Sequence, residues 1–133
     1  MNRTLKRLLA VSVAVAGMAA AIPAMAQSTV KFGIVGPVTG PFAVQAEGWR
    51  NGIEAWLAEH GDTINGHKIE VIWRDSTGNP ANAKQLAQEL IVRDKVDFLG
   101  GFALSPSAYA AAPVVTEAKV PTFLFHVASP GLV

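Results

Sequence analysis

The chain has 133 residues, with 11 lysines and arginines against 10 aspartates and glutamates, and it contains no cysteine. The absence of cysteine excludes a disulfide framework, a thiolate metal site, a cysteine nucleophile and a lipid-modified N-terminal cysteine. In residues 27–133, basic residues are neither clustered nor interleaved with aromatic residues, so this part of the chain lacks the surface that nucleic-acid binding needs.

Residues 1–26 have the three-part plan of a secretory signal peptide. Three cations lie within residues 1–7, an apolar run covers residues 8–21, and small residues lead to a cleavage position after Ala26. The run is too short for a good spanning helix, which makes an uncleaved membrane anchor the weaker alternative. We predict cleavage after Ala26 and a soluble periplasmic protein, because no cysteine follows the cleavage position.

The remaining residues, 27–133, hold eight cations and ten acidic residues. Their hydrophobic patterns predict strands over 30–35, 68–73, 96–100 and 121–125, which alternate with helices over about 42–60, 80–91 and 106–119. Short connections in the order β-α-β-α-β-α-β indicate an α/β fold. We therefore predict an open parallel sheet with helices on both faces.

Three features of the helices make specific predictions. Trp49 and Trp56 fall on the apolar face of the first helix and are expected in the core. Asn79 and Ser105 each precede a proline, which is typical of an N-cap followed by the first helical residue. Pro113 is expected to kink or split the third helix, because it removes one backbone hydrogen bond and crowds the preceding turn.

A ligand site in such a sheet lies beyond the carboxyl ends of the strands. The candidate loops are therefore residues 36–45, 101–107 and 126–131. Ser105, with the free amides of its helix, could hold a carboxylate, or it could cap the helix and do nothing else. The Thr39-Gly40-Pro41 segment allows the same two interpretations, as an anion site or a plain turn.

Phosphate-loop spacing is absent from the first loop, so nucleotide binding is a weak interpretation. Phe42 and Tyr109 could each face a ligand or pack in the core. The three histidines lack the spacing of metal ligands. Only His126 lies in a candidate loop, where a packing or polar role is favoured over ligand contact.

Catalysis would require a nucleophile with a positioned base, or two carboxylates in different environments. Neither is visible. Asp75, Glu47 and Glu117 are interpreted as solvated or capping charges. We predict no catalytic residue, no metal site and no cofactor.

A series of segments, taken in order, carries a resemblance to a known family. The segments are Lys31–Pro41, Asn51-Gly52, Ile64–Val71, Asp75 with Asn79-Pro80, Val96–Gly101, Ala110–Val114, and Val120-Pro121 through Ser129-Pro130. Together they resemble the periplasmic solute-binding proteins of the leucine/isoleucine/valine-binding type. The resemblance covers residues 29–130.

This resemblance implies a longer, two-lobed protein that closes on a small molecule and delivers it to an ABC importer. Residues 27–133 would form most of the N-terminal lobe, so the chain is expected to expose apolar surface that further chain covers. The implied partners are a small-molecule ligand and the membrane permease, without nucleic acid or metal. The full-length protein is expected to be a monomer and not an enzyme.

The resemblance also implies a set of ligand-binding residues. Ser105 would bind a carboxylate, while the segment from Val127 to Ser129 would contact the carboxylate and amine, and the first loop would shape the side-chain pocket. The implied ligand contacts are Ser105, Phe42, Gln45, Leu104, Val127, Ala128 and Ser129.

Several positions depart from the family pattern. Ala128 lacks a hydroxyl, Gln45 replaces an aromatic residue, and Gly78 and Leu104 stand where some members carry a cysteine pair. An α-amino acid is therefore one option beside small amides, urea-like compounds, and aromatic or aliphatic carboxylates. Two other functions stay open: a ligand sensor of the same fold, and a hydrolase that uses His126 and Ser105 but lacks an acid partner.

Overall fold

A computed structural model describes residues 28–132 of the chain. The predicted signal peptide, residues 1–26, lies outside the described residues. The strands are β1 (Thr29–Gly36), β2 (Thr63–Ile64), β3 (His67–Asp75), β4 (Phe98–Gly101) and β5 (Thr122–Leu124). The helices are α1 (Ala43–His60), α2 (Pro80–Glu89) and α3 (Ser105–Ala118), and a π-helix (Leu90–Asp94) continues α2.

The five strands form one sheet in the order β2-β3-β1-β4-β5. Strand β1 lies at the centre and pairs in parallel with β3 and β4, and β4 pairs in parallel with β5. The predicted α/β class is confirmed, and the sheet is mainly parallel. Because the parallel strands run in one direction, their carboxyl ends lie along a single edge, where ligands bind in sheets of this kind.

Strand β2 was not predicted, and it makes the sheet mixed instead of purely parallel. Thr63 and Ile64 pair antiparallel with Lys68 and His67. Between them, Asn65 and Gly66 have φ angles of 49° and 84°. An Asn-Gly pair of this conformation is the usual turn of a two-residue hairpin, so the sequence contained the signal.

Helices cover both faces of the sheet, as predicted. A Cβ built on Gly36 would lie 2.9 Å from Trp49 Cζ3, which places α1 against one face. A Cβ built on Gly33 would lie 3.0 Å from Leu90 Cδ1, so the end of α2 packs against the other face. The main core lies on the α2 and α3 side and consists of Val35, Ala83, Ala87, Leu90, Val96, Leu99, Phe102, Ala108 and Ala111.

The two tryptophans of α1 do not share one environment. Trp49 is half-buried, and its ring meets Phe125 edge-on with centroids 5.2 Å apart. Trp56 is 43% exposed and stacks on His60 with centroids 4.5 Å apart, so the core prediction for Trp56 is wrong. Helical spacing puts both rings on one face of α1, but an open apolar cleft that includes Phe32 borders Trp56.

Two predictions about helix ends and breaks were also tested. Asn79 caps α2 as predicted: its side-chain oxygen accepts hydrogen bonds from Ala81 N at 2.8 Å and Asn82 N at 3.2 Å. Helix α3 runs through Pro113 without being split. Proline removes only one hydrogen bond, and this side chain is exposed, so packing of the other face can hold the helix together.

The sheet face beside α1 carries apolar side chains that face solvent on its β4–β5 side. Phe98 is 37% exposed and Phe123 is 54% exposed, and both lie on the β4–β5 side. The ring of Phe32 meets Phe123 edge-on at 6.2 Å. The expected exposed apolar surface is therefore present. Among residues 28–132, no helix has both the length and the apolar composition needed to cross a membrane.

Candidate functional site

The carboxyl ends of β1, β3 and β4 bring three loops together, and one of the three was not predicted. Phe42 ends the loop after β1, Gly78 lies after β3, and Leu104 lies after β4. A Cβ built on Gly78 would lie 3.2 Å from Phe42 Cδ2 and 3.5 Å from Leu104 Cδ1. We call these three residues the apolar patch; two of them belong to the predicted ligand set.

Sequence reasoning placed the candidate loops after β1, β4 and β5 and omitted the loop after β3. The available signal was the observation that Gly78 and Leu104 occupy the two positions of a cysteine pair in some members of the resembling family. Residues in such a pair must be spatial neighbours. The contact between Gly78 and Leu104 agrees with this correspondence.

Ser105 lies directly after the apolar patch but does not cap its helix. The N-cap is Leu104, whose backbone is extended and whose side chain makes no capping bond, and Ser105 is the first residue of α3. Pro106 has no amide hydrogen, while Ser107 N and Ala108 N donate to Leu104 O at 3.0 and 3.2 Å. The N-cap prediction for Ser105 is wrong, and the supply of free amides is smaller than expected.

This arrangement leaves the Ser105 side chain available. Its hydroxyl forms no hydrogen bond with another residue in the range 28–132, and the side chain is only half-buried. A hydroxyl at the first position of a fourteen-residue helix also experiences the positive end of the helix dipole. The position favours contact with an anionic group, although through Ser105 itself more than through a row of amides.

A strained turn delivers Leu104 and Ser105 to this place. Gly101, Phe102 and Ala103 have φ angles of 106°, 70° and 34°, and the last two are residues that rarely adopt such values. Phe102 N donates to Val35 O at 2.7 Å, and both Phe102 and Ala103 are buried. Strain of this kind persists where surrounding structure enforces it, and it is concentrated at functional sites.

The Thr39-Gly40-Pro41 segment is tied to a carboxylate. Thr39 Oγ1 donates to Asp75 Oδ2 at 2.6 Å, and the amides of Val38 and Thr39 donate to Asp75 Oδ1 at 2.8 and 3.3 Å. Thr77 N donates to the same oxygen at 2.8 Å. Because these donors already serve a carboxylate, the segment is a poor anion site, and the plain-turn interpretation is favoured.

The charge state of Asp75 follows from these contacts. Burial raises the pKa of Asp75, but the hydrogen bonds from the Thr39 hydroxyl and from the amides of Thr77, Thr39 and Val38 outweigh it. The pKa of Asp75 is consequently held below its ordinary value of 3.8. The interpretation of Asp75 as a solvated or capping charge missed this role, because the donors come from two separate loops.

Two buried polar atoms near the starts of α1 and α3 have no hydrogen-bond partner among the described residues. They are Gln45 Oε1, on the first turn of α1, and Ser107 Oγ, on the first turn of α3. A buried polar group without a partner is costly, so each such group in a native protein calls for an explanation. Gln45 was a predicted ligand residue, whereas Ser107 was not singled out by any sequence signal.

The segment after β5 is held by hydrogen bonds to Tyr109 of α3. Tyr109 OH donates to Pro130 O at 2.9 Å and lies 3.0 Å from Ser129 Oγ. Since the single phenolic proton goes to Pro130, Ser129 donates its own proton to Tyr109. Val127 packs against the core, and Ala128 is exposed. The sequence left open whether Tyr109 faces a ligand or packs in the core. In the structure its hydroxyl holds the loop after β5 against α3.

The described residues contain no group of three or more histidine, aspartate or glutamate side chains placed to hold a metal ion. His126 is exposed, with a φ angle of 61°. No hydrogen bond joins it to Ser105 or to another residue of the described range. The pair that a hydrolase would need is therefore not assembled in this arrangement.

Comparison with known proteins identifies relatives of the whole described region. The family of periplasmic binding proteins matches residues 29–132. A curated relative, Leu/Ile/Val-binding protein homolog 6 of Brucella abortus (strain 2308), is 37% identical over 130 residues, which is 97% of this chain and 33% of the relative. The chain thus spans about a third of the length of this relative.

Two solved structures of similar proteins hold aromatic acids. One is a solute-binding protein of an ABC transporter from Rhodopseudomonas palustris BisB5 in complex with 3,4-dihydroxybenzoic acid, with 44% identity and a TM-score of 0.75 over 78% of this chain and 29% of that one. Another, from R. palustris in complex with 4-hydroxybenzoate, has 42% identity and a TM-score of 0.74 over 79% of this chain and 29% of that one. The chain therefore belongs to the periplasmic binding protein family, and its relatives are substrate-binding proteins of ABC transporters.

Proposed function

We propose that this chain is part of the periplasmic solute-binding component of an ABC uptake system, and that it binds a small carboxylate, with aromatic carboxylates as the favoured class. The observation that carries the proposal is the position of Ser105. Its unpaired hydroxyl lies at the start of α3, directly beside the apolar patch of Phe42, Gly78 and Leu104.

The two parts of the site suit the two parts of such a ligand. A serine hydroxyl can donate a charge-assisted hydrogen bond to a carboxylate oxygen. Phe42 is 40% exposed and can offer its ring to an aromatic ligand.

An aromatic acid is favoured over an α-amino acid because it has no ammonium group. An ammonium group needs acceptors, and the nearby carboxylate, Asp75, already accepts four hydrogen bonds. Ala128 lacks a hydroxyl, and Ser129 is engaged with Tyr109. The solved relatives with hydroxybenzoates support this order, while the curated relative named for leucine, isoleucine and valine keeps branched-chain amino acids as the second candidate.

Further parts of the proposal concern the whole protein. Residues 27–133 form the incomplete N-terminal lobe, and a second lobe closes over the ligand by hinge motion. Residues 1–26 direct export, cleavage follows Ala26, and the full-length monomer delivers its ligand to the membrane permease. Family and relatives are solute-binding proteins, which are not enzymes.

Calorimetry of the full-length protein tests the ligand class. The titrants are 3,4-dihydroxybenzoate, 4-hydroxybenzoate, leucine and benzamide, the last as an uncharged analogue of benzoate. We expect micromolar or tighter binding of the benzoates, at least tenfold weaker binding of leucine, and weak binding of benzamide because it lacks the carboxylate. Binding of leucine alone would contradict the aromatic assignment, and formation of a product would contradict the assignment as a carrier.

A further inference from the structure

We infer that Asp75 is a positioning residue of the ligand site, whose carboxylate holds the loop after β1 against the loop after β3 and thereby places the Phe42 ring. The inference rests on the proposed function for its binding readout. Asp75 itself does not line the apolar patch, so its effect on a ligand is indirect.

The contacts of Asp75 join two segments that are distant in sequence. Val38 and Thr39 belong to the loop after β1, and Thr77 belongs to the loop after β3. All three donate backbone amides to Oδ1, and the Thr39 hydroxyl donates to Oδ2. One carboxylate at the end of β3 thus satisfies four donors.

The loop after β3 depends on this carboxylate for its conformation. Thr77 and Gly78 both have positive φ angles, of 53° and 77°. A left-handed conformation is unfavourable for a β-branched residue such as threonine, so it needs a compensating contact. The hydrogen bond that the Thr77 amide donates to Asp75 is such a contact, and it sets where Gly78 lies.

The position of Gly78 in turn determines the position of Phe42. A Cβ on Gly78 would lie 3.2 Å from Phe42 Cδ2, so the Phe42 ring lies directly on the backbone of the loop after β3. The Ala43 amide donates to Gly40 O, which fixes the start of α1 relative to the first loop. Asp75 therefore controls both the loop that carries Phe42 and the surface on which the ring rests.

No cation pairs with Asp75 among the described residues. The neighbouring Arg74 instead contacts Asp94 at 2.7 Å. The charge of Asp75 is balanced by its four hydrogen bonds, so replacing it with a neutral amide weakens the oxygen that accepts the three backbone amides. Asparagine keeps that one acceptor oxygen, and its NH2 group must donate to the Thr39 hydroxyl, which reverses the direction of that hydrogen bond.

The first experiment measures amide hydrogen exchange in the unliganded full-length protein. Asp75→Asn should raise the exchange rates of Val38, Thr39 and Thr77 about tenfold or more, because their acceptor is weakened. The matched control is Asp97→Asn: Asp97 Oδ2 also accepts a backbone amide, from Lys31 at 2.8 Å, but at the amino end of β4. Unchanged protection in Asp75→Asn would overturn the inference whether or not a ligand is known.

The second experiment is a double-mutant cycle with 3,4-dihydroxybenzoate as the probe. Asp75→Asn should weaken binding about tenfold in the wild-type background and by less than about twofold in the Phe42→Ala background, because the effect passes through the ring. Asp97→Asn should leave affinity unchanged. Equal losses in both backgrounds would mean that Asp75 does not act through Phe42 and would overturn the inference.

Thr39→Val provides a milder variant if Asp75→Asn does not fold. It removes the 2.6 Å hydroxyl bond and leaves the carboxylate in place. It should raise the exchange rates of the same amides and show the same coupling to Phe42→Ala, with smaller effects. If the wild-type protein binds none of the benzoates, the proposed ligand class fails, and the exchange measurement still decides the role of Asp75.

Discussion

The role of the Ser105 side chain depends on where α3 begins. A shift of one residue in the start of the helix changes what its hydroxyl can do. As an N-cap, its hydroxyl would accept a hydrogen bond from a backbone amide of its own helix. As the first helical residue, its hydroxyl makes no such bond. The sequence pattern Ser-Pro is compatible with both positions. The strained turn that precedes it decides between them.

Replacement of Ser105 by alanine should weaken binding of an aromatic carboxylate by about 1–3 kcal/mol, because a charged group loses a hydrogen-bond donor. The thermal midpoint of the unliganded protein should stay nearly unchanged, since the hydroxyl has no partner among residues 28–132. Calorimetry and thermal unfolding measure the two effects. Ser107→Ala is the comparison for the stability measurement. The buried Oγ of Ser107 also lacks a partner, so the thermal midpoint of this variant should be unchanged or slightly higher. Unchanged affinity in Ser105→Ala would remove Ser105 from the site.

Gly101 carries the backbone conformation on which the site depends. Its φ angle is 106°, and a Cβ at this position would collide with the carbonyl oxygen of Val35. Gly101→Ala should therefore lower the free energy of unfolding by more than about 1 kcal/mol. Urea unfolding of the full-length protein measures the loss. Gly48→Ala and Gly52→Ala in α1 are controls with open space around the new Cβ and should stabilise by about 0.5–1 kcal/mol. Equal effects at all three positions would contradict the argument.

At the scale of elements, the helices and their caps depend mostly on local interactions, and the loops between strands do not. Asn79 caps α2 because its side-chain oxygen reaches amides two and three residues along the chain. The loop after β1 depends instead on Asp75, 36 residues away from Thr39. Local sequence patterns therefore predicted the first feature and missed the second.

The link between the two loops should be sensitive to acid. The folded-state pKa of Asp75 lies below 3.8, so below that ordinary value the unfolded chain binds more protons than the folded one. Its contribution to stability is complete above the ordinary pKa and is lost as the pH falls through the lowered folded-state pKa.

Urea unfolding at pH 7, 4 and 3 measures this loss of stability. Asp94 has a pKa lowered in the same way: burial raises it, and the hydrogen bond and charge of Arg93, together with the charge of Arg74, outweigh that effect. Part of the decline will therefore persist in Asp75→Asn. The decline should still be smaller in that variant than in the wild type, and equal declines would show that Asp75 adds nothing.

At the scale of the whole molecule, the sheet face beside α1 is left partly uncovered on its β4–β5 side. Phe98 and Phe123 lie exposed on that face, and Phe32 and Phe125 are partly exposed beside them. Exposed apolar patches of this kind mark surfaces that another part of the chain or a partner covers. The proposal that residues 27–133 form an incomplete lobe accounts for these exposed phenylalanines.

Residues 28–132 prepared alone should therefore associate instead of unfolding cooperatively as a monomer. Sedimentation should show concentration-dependent oligomers, and a hydrophobic dye should bind. Phe123→Lys should reduce the association, because it places a charge at the most exposed phenylalanine of this sheet face. Val92→Lys on the π-helix should have little effect. A monomeric, cooperative transition of the unmodified fragment would count against the incomplete-lobe interpretation.

The sequence by itself determined the alternating order of strands and helices, the cap at Asn79 and the general edge of the sheet where a site lies. These features depend on periodicity and on contacts between residues close in the chain. Only the tertiary structure decided that Gly78 joins Phe42 and Leu104, that Asp75 links two loops, and that Trp56 stays exposed. Each of these depends on the strand order, which brings distant segments together, and no local pattern contains that information.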